Sequence, residues 1–349
     1  MLIVAGPSGE AGHDGGPQHP EQPARLRSVM QGVADLDLGS DCEQVAPVPA
    51  STADLLRVHT QDYLDALEAL SRRGGGDLDP DTYARSDSFE LARRAAGAGL
   101  AAISMLEERE EGVAFVAVRP PGHHALSDRA MGFCLLNNVA IAAASLTSKG
   151  QRVLIVDWDV HHGNGTQDLF WNDPNVLFVS THQWPLYPGT GRASDVGGAD
   201  AAGLTVNLPL PPGATGDVMR EALERVAGPA IDAFAPDWVL VSCGFDAHRD
   251  DPLGELELSS GDFARLASLV ESFAPRPGRL ALFLEGGYNA AALRSSVAAT
   301  LGTLLGAAVE GEPPSRGGPG AEAIQMAQTA RDRAMRARQE QGSADETIG

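Results

Sequence analysis

The chain has almost no lysine. Its 26 basic residues are all arginine except Lys149, and 47 acidic residues outnumber them, leaving a net charge of −21. Non-specific nucleic-acid binding needs clustered cations to meet phosphates, so that class is excluded. A cationic substrate is favoured instead. The arginine bias suggests a GC-rich or salt-adapted source and says nothing about fold. Cysteine is scarce too: Cys42, Cys134 and Cys243 lie far apart with no C-x-x-C spacing. That excludes a disulfide framework and a thiolate zinc knuckle; Cys134 and Cys243 read as small buried hydrophobes. No apolar run approaches the roughly 18 residues of a membrane helix. The apolar start at 2–5 is too short for a signal segment and breaks at Gly6-Pro7. The expectation is a cytoplasmic protein with neither nucleic acid nor membrane as a direct partner. No internal repeat is visible.

What is present is enough for one large core: 349 residues, 43% of them hydrophobic. Short apolar runs at 2–5, 113–118, 153–157, 176–180, 204–208, 238–243 and 280–284 predict strands. Helical patterns lie between them, at about 22–36, 51–71, 87–108, 135–148, 215–234, 260–274 and 289–309. This alternation is the mark of an α/β protein. Ser259 or Ser260 is a candidate cap, with Asp262 in the first turn. The long Gly- and Pro-rich connections 6–21, 119–134, 181–201 and 244–259 carry His, Asp and aromatic residues, and connections of this length in a compact domain are usually functional or disordered. Residues 1–310 read as one domain; 311–320 read as a linker, and the remainder to 349 as a polar helical or disordered tail.

The most informative stretch is Val156-Asp157-Trp158-Asp159-Val160-His161-His162-Gly163-Asn164-Gly165. Side chains two apart on an extended segment point the same way. Asp157, Asp159 and His161 can therefore converge just past the strand's carboxyl end, where open parallel sheets bind ligands. Two carboxylates and an imidazole there lose too much hydration to stay unpaired, and a divalent metal is the natural partner. Arg119-Pro120-Pro121-Gly122-His123-His124 follows another strand, and two adjacent imidazoles suit acid–base work near neutrality. Cys243-Gly244-Phe245-Asp246-Ala247-His248-Arg249-Asp250-Asp251-Pro252 puts Asp246 past a third strand. In Leu284-Glu285-Gly286-Gly287-Tyr288-Asn289 the paired glycines let the backbone turn and present Tyr288.

RPPGHH, GFCLLNN, DWDVHHGNGTQ, YPGTG, GFDAHRDDPLG and LEGGYN, in that order, resemble the histone deacetylase superfamily. The resemblance runs from His19-Pro20-Glu21 through Asn289 and is closer to the class II and bacterial branch, which includes acetylpolyamine amidohydrolases. It implies the arginase/deacetylase-type three-layer fold, a mainly parallel sheet of about eight strands with helices on both faces. It also implies hydrolysis of N-acetyl or acyl amides of primary amines with release of acetate. By the same resemblance Asp159, His161 and Asp246 match metal ligands suiting Zn²⁺ or Fe²⁺. His124 matches the general base and acid, and His123 a charge-stabilising partner oriented by Asp157. Asn164 stands where class I members carry aspartate, which should leave the His124 pKa lower. Tyr288 matches the phenol that polarises the acyl carbonyl. Asp157, Asp159, His161, Ser180 and Thr181 match a structural potassium site. Phe133 and Tyr187 match the walls of the acyl-lysine tunnel, with Gly132 beside them and Asp81 near its rim. Arg25 matches an arginine of an internal acetate channel. His162, His182 and His248 are read as structural.

The implied partner is an acetylated lysine peptide or an acetylated polyamine, and a homo-oligomer is compatible with the resemblance. Leu253 occupies a rim position where one polyamine deacetylase carries a gatekeeper glutamate, which counts against polyamine selectivity. An inactive acyl-lysine binding module is the third reading. Tyr288, both histidines and all three ligands speak against it. A binuclear ureohydrolase would need further Asp and His ligands that the sequence does not offer.

Overall fold

The computed structural model describes residues 1–6 and 12–345, with side chains as far as Arg336. Residues 7–11 of the loop expected to be functional lie outside the described residues. The chain begins with β1 (Leu2–Ala5), α1 (Ala24–Ala34), β2 (Cys42–Val45), α2 (Thr52–Leu55) and α3 (Gln61–Arg72). A small hairpin of β3 (Gly75–Asp77) and β4 (Tyr83–Arg85) precedes α4 (Ser88–Arg109) and β5 (Val113–Val116). Next come α5 (Asn138–Thr147), β6 (Val153–Asp157), α6 (Asn164–Leu169), β7 (Val176–Gln183) and β8 (Thr205–Leu210). The last third holds α7 (Gly216–Ala222), α8 (Gly228–Phe234), β9 (Trp238–Cys243), α9 (Ser260–Glu271), β10 (Leu280–Leu284), α10 (Ala290–Leu305) and α11 (Ala321–Asp345).

Eight strands form one sheet in the order β2-β1-β5-β10-β9-β6-β7-β8, with every pairing parallel. Strands buried on both faces read as unbroken apolar runs, which is why β5, β6, β9 and β10 are legible in the sequence. The two-residue period then sorts each run between layers. In β6, Leu154 and Val156 join one core, with residues of α1, α7, α8, α9 and α10. Val153 and Ile155 join the other, with residues of α3, α4 and α5. Caps fix the helix starts. Ser259 and Asp262 form a capping box on α9, and the Asn289 side chain accepts from the amides of Ala291 and Ala292.

Several boundaries differ from the sequence expectation. The helix expected over 51–71 is two helices, because Thr60 caps a second start at α3. The helix expected over 215–234 is interrupted by a π-helical turn at Leu223–Ala227. The stretch 311–320 hydrogen-bonds along its length to the domain, and α11 buries Ile324 and Ala327 in the core. Among the described residues no helix is long and apolar enough to cross a membrane.

Candidate active site

Four neighbouring strands at the centre of the sheet, β5, β10, β9 and β6, deliver the site from their carboxyl ends. From β6 come Asp157, Asp159 and His161; β9 leads to Asp246; β10 leads to Glu285 and Tyr288; β5 leads to His123 and His124. Side-chain donor atoms of Asp159, His161 and Asp246 lie within 4.8 Å of one another. His161 Nδ1 is 3.1 Å from Asp159 Oδ1 and 3.2 Å from Asp246 Oδ2. The two carboxylates are fully buried and partly engaged by amides. Gly286 donates to Asp159 Oδ2 at 2.8 Å, and Val160 donates to Asp246 Oδ1 at 2.9 Å. Asp246 Oδ2 has no hydrogen-bond partner although it is buried. Buried polar atoms are rarely left so.

That orphan oxygen, the imidazole and Asp159 make an oxygen-rich N/O set that fits a divalent cation. The surrounding field asks for positive charge. Burial opposes a charged His161, yet Asp159 and Asp246 raise its pKa to about 10. Gly286 is required here by close approach: a Cβ on it would fall 1.9 Å from Asp246 Oδ2 and 2.6 Å from Asp159 Oδ2.

The tandem imidazoles stand with ring centroids 4.0 Å apart but have unlike partners. His123 Nδ1 lies 2.9 Å from Asp157 Oδ2, and its Nε2 is 3.8 Å from Asp159. Burial disfavours charge on His123, but Asp157, Asp159 and Glu285 outweigh it and hold the pKa well above the usual value. His124 Nδ1 donates to the amide oxygen of Asn164 at 2.7 Å, which leaves Nε2 as the lone-pair nitrogen. Burial and then the neighbouring His123 and His161 push the His124 pKa well below the usual value. Two adjacent residues of one type are thus set apart by their surroundings, the pattern of an acid–base pair.

Aromatic rings stand beside this point. Tyr187, 37% exposed, stands edge-on to His124 at 5.3 Å between centroids. Phe133 packs edge-on against Tyr288 at 5.8 Å and His19 at 4.7 Å. Gly132 has φ +55°, and a Cβ there would sit 2.4 Å from His124 Cδ2. Asp81 lies beside this wall: its carboxylate accepts from Thr82, whose hydroxyl accepts from the Phe133 amide. Leu253, half-buried, lies on the loop after Asp246 and donates its amide to Asp251. Behind the site Arg25 donates to the Gly287 carbonyl and stacks 4.8 Å over the Tyr288 ring.

Residues of the expected potassium site are neighbours by register, since Asp157 pairs with Ser180. Ser180 Oγ is also 2.9 Å from His182 Nδ1, and Thr181 donates to the Asp157 carbonyl at 3.3 Å.

Sequence reasoning missed three contributors. Glu285, fully buried, accepts from the amides of Gly122 at 2.6 Å and His123 at 3.1 Å and from Ser242 Oγ at 3.2 Å. Its place directly after the apolar run of β10, like that of Asp157 after β6, was the available signal. Glu21 bridges two buried arginines, Arg25 and Arg119. Asp251 accepts from the amides of Tyr288 at 2.6 Å and Asn289 at 3.2 Å.

Eight parallel strands with an Asp–His–Asp cluster at their carboxyl ends, both carboxylates buried, define an arginase/deacetylase-type α/β protein. The histone deacetylase domain model matches residues 19–304. The chain is 43% identical over 298 residues to an uncharacterised protein of Synechocystis, covering 84% of this chain and 96% of that one. It is 41% identical over 293 residues to the histone deacetylase-like amidohydrolase of Pseudomonas aeruginosa, covering 82% and 75%. The crystal structure of the HDA15 HD domain is similar with a TM-score of 0.85 and 34% identity, covering 99% of each chain. The chain belongs to the histone deacetylase family, a family of deacetylases and amidohydrolases that are typically metal-dependent.

Proposed function

We propose that the protein hydrolyses N-acetyl or acyl amides of primary amines, with acetyl-lysine in proteins or peptides as the substrate class and acetate as a product. The observation that carries this reading is the partnerless Asp246 Oδ2 facing His161 Nδ1 beside Asp159, with the Tyr187 ring edge-on to His124 and His161. Asp159, His161 and Asp246 would hold Zn²⁺, with Fe²⁺ the alternative. Asp157, Asp159, His161, Ser180 and Thr181 would hold a structural K⁺.

A bound divalent cation acidifies water and polarises a carbonyl. The chain's own groups do the rest. His124 Nε2 takes the water proton, while its Nδ1–H stays on Asn164. His123, held by Asp157, places positive charge against the developing negative charge. The Tyr288 hydroxyl donates to the acyl oxygen and stabilises it most when that oxygen is charged. As the C–N bond breaks, His124 returns its proton to the departing amine, and acetate and amine are released. Phe133 and Tyr187 line the channel that excludes water from the acyl chain, and Asp81 meets the substrate backbone at the rim.

A second reading keeps the chemistry and makes an acetylated polyamine the substrate. The net charge of −21, with Asp79 and Asp81 near the channel wall, favours a polycation. One experiment tests both. Chelator-treated protein should lose activity on an acetyl-lysine peptide and recover it with Zn²⁺ or Fe²⁺. A hundredfold preference for acetylspermidine would exchange the two readings, and indifference to chelators would overturn both.

A further inference from the structure

Beyond residue 304, where the match to the family model ends, the chain crosses the face that carries the Asp246 loop. Glu312 is the centre of that crossing. Its Oε2 accepts from His248 Nε2 at 2.8 Å and from the Ser260 amide at 3.0 Å, at the start of α9. Its other oxygen pairs with Arg249, and its own amide donates to Ser260 Oγ at 3.0 Å. His248 is buried, and its Nδ1 already accepts from the Asp250 amide at 3.1 Å. One tautomer follows, with Nε2–H pointing at Glu312. His248, Asp250 and Glu312 therefore do not form a cation site: one imidazole nitrogen is used, the other is a donor, and Arg249 supplies the positive charge.

The fastened segment leads straight to Tyr288. The His248 carbonyl accepts from the Asp251 amide at 2.8 Å, and Asp251 Oδ2 accepts from the amides of Tyr288 and Asn289. Asn289 Nδ2 closes the ring on the Asp250 carbonyl at 3.0 Å. We infer that Glu312 is a positioning residue for Tyr288, acting through His248 and Asp251. This rests on the role given to Tyr288 above. The strap is anchored further along, where Ser315 donates to Asp262 and Gly318 donates to Thr215. Losing the carboxylate of Glu312 thus removes the side-chain partner of His248 and Arg249 without releasing the strap.

The test uses the full metal-loaded chain with Glu312→Ala, and Glu312→Gln as the milder variant should the first fail to fold. A small misplacement of a reacting group lowers turnover steeply, so Glu312→Ala should reduce kcat by roughly tenfold with KM within about twofold. Amide exchange at Tyr288 and Asn289 should quicken while the amides of β10 keep their rates. In a Tyr288→Phe background, Glu312→Ala should add no further loss of kcat, since contributions made through one group are not additive. A lowered melting temperature with wild-type kcat and wild-type exchange at the two amides would overturn the inference, as would a fully additive loss in the double variant. If Tyr288→Phe alone keeps wild-type kcat, the chemistry assigned to Tyr288 falls, and the exchange rates still decide whether Glu312 holds this backbone.

Discussion

The two ends of the same central strands could hardly be more different. At their amino ends charge stays in water: Lys149 pairs with Glu107 and Arg276 with Glu110, on side chains 28% to 66% exposed. At their carboxyl ends Asp157, Asp159, Asp246 and Glu285 are all buried, together with His123 and His124. These groups find their hydrogen bonds inside the protein, among one another, from loop amides and from the side chains of Ser242 and Asn164. Removing one partner of a buried set strands the other, whereas solvent replaces a lost surface partner. The carboxyl end should therefore be intolerant of change and the amino end permissive.

The sharpest break is expected from His124→Ala, which removes the lone-pair nitrogen at the centre of the site. Turnover should fall by roughly 10²- to 10⁴-fold, read in steady-state kinetics of the metal-loaded protein. Tyr288→Phe should lower kcat by about 10²- to 10³-fold and affect KM much less, because its donor strengthens only as charge develops. Equal kcat would remove Tyr288 from the chemistry.

Asn164→Asp is the subtler probe. A carboxylate behind His124 favours its protonated form, raising a pKa that burial and the neighbouring imidazoles now hold well below the usual value. Because the base must be unprotonated to act, the acidic limb of the kcat/KM profile should move to higher pH. A fixed limb would mean that another group sets it. At the permissive end, Lys149→Ala should change unfolding free energy by less than about 1 kcal/mol in denaturant titration. A larger change would erase the contrast between the two ends.

How much of this the sequence disclosed follows from the same contrast. Asp157, Asp159 and His161 show as an alternating set in the sequence, although β6 ends at Asp157, which holds His123, and a bend carries Asp159 and His161 to Asp246. Asp246 and Tyr288 stand just past two other legible strands, and the structure brings both to the same end of the sheet. Elements without an apolar run were illegible. Strand β2, Cys-Glu-Gln-Val at the sheet edge, is only half-buried, and the three-residue strands β3 and β4 give no period to count. Nor does a sequence pattern report partners far along the chain. Glu312 looks like linker composition until His248 and Ser260 are seen against it. Glu21 is equally anonymous without Arg119, 98 residues away.

The position of β10 bears on how the molecule is made. It lies between β5 and β9 and hydrogen-bonds to both, yet it is the last strand of the sheet to leave the ribosome. A nascent chain stopped before residue 280 leaves two long-made strands with bare, apolar edges, the kind that recruit other chains. Synthesis must therefore pass residue 284 before those edges are covered, and until then they depend on protection from outside the sheet.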